Sequence, residues 1–375
     1  MEKNDQSELL QYCIAHDIPF AMYNLPHSGK DILIISKSVL ERDVEDIFSI
    51  GDIFTIAPFS LDQSKVLCLD VDYQIDSSEV SEKVWAEIKK ISAFPEEDHS
   101  GSFYADYSDY TDQFAQLYAN IKSGVVSKAI LSRIKHHDGL ERNLASDFYF
   151  TLSQAYPGAY AFMFYTPQTG LWTGASPELL FKAEQGLGTT VSLAGTLKNN
   201  GQVKANWGEK EMDEQQIVTD FVTGVLAKYG IEDAKVDGPE TIVAGKMAHL
   251  KTQYSFKIDH IATRLGSFIN DLHPTPAVCG LPKLASMKVI HQVERHERSV
   301  YAGFLGRIQP NDIKLFVNIR SMKFVKGGVD LYLGGGITAG SEVEKEWQET
   351  ELKAETMMSV MDDVIDGKNH CRVLK

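Results

Sequence analysis

The sequence predicts a mixed α+β fold, a large sandwich of two sheets flanked by helices, and two observations predict it. Short alternating or apolar runs of strand length come in neighbouring pairs, and helix-length amphipathic stretches interrupt them only occasionally. The regular strand–helix alternation of a doubly wound sheet is missing. In chain order, 32–35, 53–57 and 66–71 read as strands, and acidic residues with Ser and Gly around 94–103 mark a boundary. Residues 107–123 read as a helix leading into a strand at 128–132, and strands recur at 159–165, 171–175, 179–183 and 191–194. A helix at 209–228 is followed by strands or turns near 249–257, a helix near 258–268 and the loop His273-Pro274-Thr275-Pro276. The remainder reads as a helix over 281–293, strands at 301–307, 313–324 and 328–333, and a closing helix over 344–366. On this reading residues 1–110 form a variable N-terminal part of the same fold, and 111–375 the catalytic region.

Composition narrows the function classes. With 43% apolar and 10% aromatic residues in 375, the chain can bury a substantial core, which excludes a disordered protein. A formal charge of −15 argues against nucleic acid, whose phosphates need a basic face. A small anionic substrate remains compatible if Arg, Lys or a divalent cation receives it locally. The four cysteines (Cys13, Cys68, Cys279, Cys371) form no CxxC pair, so the expectation is reduced thiols in a cytoplasmic protein. No apolar run approaches membrane length, and the polar N-terminus does not read as a signal peptide.

Two helices carry carboxylates in line with apolar stripes. Glu346, Glu349 and Lys353 share a face that continues into Met357 and Met361; alone this is either an exposed i,i+4 ion pair or part of a site. Glu211 and Glu214 lie three apart, and the stripe from Glu214 runs through Val218, Phe221 and Val225. First-turn acids also complement a helix dipole, but two ExxE pairs on separate helices fit a hard cation such as magnesium, which takes a few carboxylates plus water.

Three further clusters can supply chemistry. Lys128 in Lys128-Ala129-Ile130-Leu131 is either an edge-strand lysine or a buried amine, which burial would turn into a general base. Glu178 precedes Leu179, Leu180 and Phe181 and is either a polar turn residue or a desolvated general acid. Arg320 alternates on a strand with Phe316 and Asn318, as a carboxylate clamp or a surface ion-pair partner. Gly334 to Ala339 fit a loose GxGxxA without the helix a dinucleotide site requires, and His136-His137, His291 and His296 read as loop or helix residues, not zinc ligands.

The ordered blocks SKAILSR, GASPELLF, LAGT, KEMDE, HLKT, LHPTPAVCG, ERSVYAGFLG, VNIR, GGGI and EWQETELK together resemble the chorismate-utilising enzymes, most of all their isochorismate synthases of menaquinone and siderophore pathways. The resemblance runs from about Lys128 to the C-terminus. It implies a monomer, with chorismate held in a cleft beside Mg2+. It implies Glu214 and Glu349 as direct metal ligands and Glu211 and Glu346 as water-linked ones. Tyr301, Arg320, Gly335 and Lys353 match positions that hold the substrate carboxylates, and Gly195, Thr196 and His249 positions that line the ring. Lys128 stands where the family's ammonia-using aminators carry other residues, and Ala194 where aminodeoxychorismate synthases often carry lysine; both imply water as nucleophile, activated by Lys128, with Glu178 as the acid. Gln215, where the family commonly has His, and Tyr254 and Phe256 after HLKT depart from the pattern. Salicylate synthases share the Lys–Glu pair and stay open as an alternative, as does a non-catalytic chorismate-binding subunit.

Overall fold

The computed structural model describes residues 5–76, 79–97, 101–198, 207–244 and 247–367. Cys371 and part of the predicted 94–103 boundary therefore lie outside the described residues.

Among the described residues, two nine-stranded antiparallel sheets pack face to face, with helices on the outside. One sheet has the order Gly280–Leu281, Lys128–Asp138, Gly328–Ile337, Ser321–Val325, Gly170–Ser176, Tyr160–Thr166, Phe20–Asn24, Asp31–Ile35, Tyr73–Ile75. The other runs Lys235–Ala244, Met247–Lys257, Leu187–Lys198, Leu179–Glu184, Asp312–Val317, Phe304–Gln309, Ile53–Ala57, Val66–Asp70, Val39–Arg42. The strands before residue 76 thus extend both sheets at one end.

Strand alternation builds the layers, because successive side chains point to opposite faces. In Phe20–Asn24, Ala21 and Tyr23 enter the core between the sheets with Phe162, Phe164, Trp172 and Phe54. Phe20 and Met22 face the other way, into a second core covered by the helices Asp5–Ala15, Ala145–Ala155 and Val343–Ile365. A near-parallel Tyr160–Phe316 ring stack, 4.1 Å between centroids, joins the sheets. Helix Tyr107–Lys122 lays Tyr110, Phe114, Leu117 and Ile121 on Ala129 and Leu131, which backs the strand that begins at Lys128.

The predicted sandwich is the observed one, with local corrections. The expected strand 313–324 is two strands, Asp312–Val317 and Ser321–Val325, in different sheets. Arg320 therefore sits in the crossover with a left-handed backbone (φ 53°), not on a strand. The expected helix 258–268 is a 3-10 turn followed by Leu265–Leu272, and the first strand after Tyr301 is Phe304–Gln309, which leaves Tyr301 in a turn. His136 and His137 lie on the strand Lys128–Asp138, where His136 hydrogen-bonds the buried Asp330. The helix Ala145–Ala155 was not expected: it buries Phe148, Tyr149, Phe150 and Leu152, so its apolar positions do not confine themselves to one readable stripe.

Candidate active site

Lys128 opens its strand, pairs with Leu281 of the edge strand and is 1% exposed, which makes it a buried amine. Its carbonyl accepts from Ser286 Oγ at 3.2 Å, so the backbone that carries the side chain is pinned from both sides. Burial lowers its pKa, while Glu214, whose Oε2 lies 3.7 Å from Nζ, partly opposes that shift.

Glu178 occupies the turn between Gly170–Ser176 and Leu179–Glu184 and is 3% exposed. Burial raises its carboxyl to about 7, against a long hydrogen bond from Thr275 and the charges of Lys128, Arg320 and Lys353. A buried amine pushed down and a buried acid pushed up now line one cavity. This pairing suits acid–base work near neutral pH.

The cationic end of the cavity is built from strained turns. Tyr301 is buried between two residues of left-handed backbone, Ala302 (φ 60°) directly after it and Ser299 (φ 49°) two before. Non-glycine residues hold that conformation only where surroundings over-determine it, often at functional sites. The surroundings here centre on Asn318: its Nδ2 donates to Val300 O at 2.8 Å, its N–H to Gly303 O, and its carbonyl accepts from Ala302 N. One residue thus braces both the Tyr301 turn and the crossover that aims Arg320. Burial brings Arg320 down to about 10, and its Nη2 donates to His249 Nε2 at 3.2 Å. His249 Nδ1 in turn donates to Gly195 O at 2.9 Å, so the ring is neutral with its proton on Nδ1, consistent with a pKa lowered to about 3 by burial and Arg320.

The acid helices meet across the glycine run. Glu214 and Glu349 line the cavity, and Glu346 is 1% exposed behind it. A β-carbon on Gly336 would lie 3.1 Å from Lys128 Cε and 3.4 Å from Glu214 Oε2, so the absence of a side chain keeps the space between the Lys128 amine and the Glu214 carboxylate open. One on Gly335 would reach Glu346 Oε2 at 3.4 Å. Lys353 bridges Glu349 Oε1 and Gly334 O, both at 2.7 Å.

Of the residues expected from sequence, Lys128, Glu178, Gly195, Thr196, Glu214, His249, Tyr301, Arg320, Glu349 and Lys353 line this one cavity. Gly335, Glu211 and Glu346 stand outside the lining. Glu211 folds back to accept from Gly208 N at 3.0 Å as a helix cap. Sequence reading missed Thr275, although it lies in a quoted block. It also missed Lys210, whose ammonium sits 2.7 Å from Glu346 Oε1 and 3.7 Å from Glu214 Oε1.

The donor set fits a hard divalent cation in kind: all its candidates are carboxylates, and buried Glu346 Oε2 has no hydrogen-bond partner. Burial and Glu349 raise the Glu346 carboxyl, whereas Lys353 holds Glu349 below its ordinary value despite burial. In the present arrangement, no three such groups among the described residues converge closely enough to enclose an ion.

Comparison with known proteins gives a consistent picture. The model of the chorismate binding enzyme family matches residues 61–359. The isochorismate synthase MenF of Haemophilus influenzae is 30% identical over 266 residues, 68% of this chain and 61% of that relative, so the chain spans about three fifths of that relative's length. Among solved structures, the menaquinone-specific isochorismate synthase MenF of Escherichia coli superposes with a TM-score of 0.71 at 21% identity, covering 94% of this chain and 91% of that one. Anthranilate synthase component I of Streptococcus pneumoniae gives 0.66 at 20% identity, covering 90% and 89%. Both structures share the fold.

Proposed function

Since the chain belongs to the chorismate binding enzyme family, we propose that it isomerises chorismate to isochorismate, with water as the nucleophile. The observation that carries the reading is the opposed pair in one cavity, Lys128 lowered and Glu178 raised by burial. Lys128, as the free amine, accepts a proton from the water whose oxygen bonds to C2 of the ring. The double bonds shift, the C4–oxygen bond breaks, and Glu178 gives its proton to the departing hydroxyl, so one water enters and one leaves. Arg320 and Tyr301 receive one substrate carboxylate, and Lys353 the other. Neutral His249 holds the Arg320 fork in place without adding charge.

Glu214 and Glu349, supported by Glu346, would hold Mg2+. When bound, the ion would neutralise charge on the ring carboxylate. The buried Lys128 amine, with its pKa lowered by desolvation, also supports water over ammonia, since an aminating enzyme has no need of a base for water.

Glu178→Gln and Lys128→Met should each lower turnover about 10²–10⁴-fold while chorismate still binds. Near-normal turnover in either variant would remove its assigned role. Salicylate and pyruvate as products would show that a lyase step follows.

A further inference from the structure

We propose that Lys210 is the resident cation of the metal-free site: its ammonium holds Glu214 and Glu346 where a divalent cation would sit, and it must leave them when one binds. The proposal rests on the metal reading above.

Two ammoniums, Lys210 and Lys353, and the Lys128 amine, which the proposed reaction needs uncharged, face three carboxylates across the two acid helices. Lys128 stands 3.7 Å from Glu214, Lys210 2.7 Å from Glu346, and Lys353 2.7 Å from Glu349. A divalent ion added to this set would turn a buried excess of one negative charge into an excess of one positive charge, which is costly unless a lysine withdraws. Lys210 is the one free to go. Its side chain is 34% exposed, against 2% for Lys128 and 17% for Lys353.

Its position makes little sense otherwise. Lys210 lies in the first turn of helix Glu209–Lys228, where the helix dipole disfavours a cation. What it gains there is Glu346, on a helix 136 residues further along the chain. The ammonium also serves Glu346 incompletely: Oε1 is bonded, while Oε2 stays buried and unpartnered beside Gly335. A cation with a water shell would reach the second oxygen as well. Lys210 thus keeps the two acid helices docked before metal arrives and lowers apparent metal affinity by competition.

The test uses the full chain stripped with chelator and titrated with Mn2+ (free ion by electron paramagnetic resonance) and Mg2+ (calorimetry). Lys210→Met should bind both ions on the order of tenfold more tightly than the parent, as expected for loss of a coupled competitor. Lys210→Arg, which keeps the charge, should bind no more tightly than the parent. In chelator, Lys210→Met should melt below the parent, and saturating Mn2+ should close the gap. Equal or weaker metal binding by Lys210→Met, or by Lys210→Gln if the first variant fails to fold, would overturn the proposal alone. No metal binding by the parent or any variant would overturn the metal reading and this inference with it.

Discussion

Glu178→Gln separates catalysis from stability in a way that a surface carboxylate cannot reproduce. Glu178 has an ordinary value of 4.5 and is raised to about 7, chiefly by burial and in spite of Thr275, Lys128, Arg320 and Lys353. A group whose folded pKa lies above its unfolded one favours folding while protonated, and loses that contribution as pH rises through the folded value. At 1.36 kcal/mol per pH unit, the gap from 4.5 to about 7 means that ionising this buried group costs the parent about 3 kcal/mol at pH 8. By pH 5 the cost is about 1 kcal/mol or less. Glutamine cannot ionise, so the variant should gain stability over the parent as pH rises from 5 to 8, while turnover falls about 10²–10⁴-fold. Urea unfolding of both proteins at pH 5, 6, 7 and 8 reads the first effect, and chorismate consumption reads the second. A stability difference independent of pH would refute the claim that Glu178 is a desolvated acid, whatever the turnover shows.

The basic limb of the pH–kcat/KM profile should fall with an apparent pKa near 7, and Thr275→Val, which removes a donor to the carboxylate, should move that limb to higher pH. Asn318→Ala should destabilise by about 1–3 kcal/mol, because Val300 O loses its partner, and should raise KM as the Tyr301 and Arg320 turns lose their brace; melting and steady-state kinetics check both. Arg320→Lys should raise KM more than it lowers kcat, since an ammonium cannot replace the planar fork that spans His249 and a carboxylate.

The layered fold was legible because it depends on local periodicity. Paired strands such as Tyr160–Thr166 and Gly170–Ser176 are buried at every position, and short apolar runs of that length on either side of a turn can be read from one sequence. The break at Arg320 was missed, although the apolar parity flips there: Ile313, Leu315, Val317 and Ile319 give way to Met322 and Phe324 after the polar pair Arg320-Ser321, where the chain changes sheets. Lys128 and Glu178 stood out as charges inside apolar runs, a conflict that a sequence displays directly. Whether those charges were buried was a tertiary matter, decided by the edge strand over Lys128 and the Thr275 loop over Glu178. Lys210 was invisible for the same reason: its nearest partner belongs to a different helix. Glu211 shows the converse, since a residue that matches a pattern by spacing here spends its side chain on capping its own helix.

Purified protein incubated with chorismate and Mg2+, with and without chelator, and resolved by chromatography and mass, should give a product isomeric with chorismate. Formation of that product should stop in chelator and need neither glutamine nor ammonia. An amine-bearing product dependent on ammonia, or unchanged chorismate under all conditions, would contradict the assignment of Lys128 as the base that activates water.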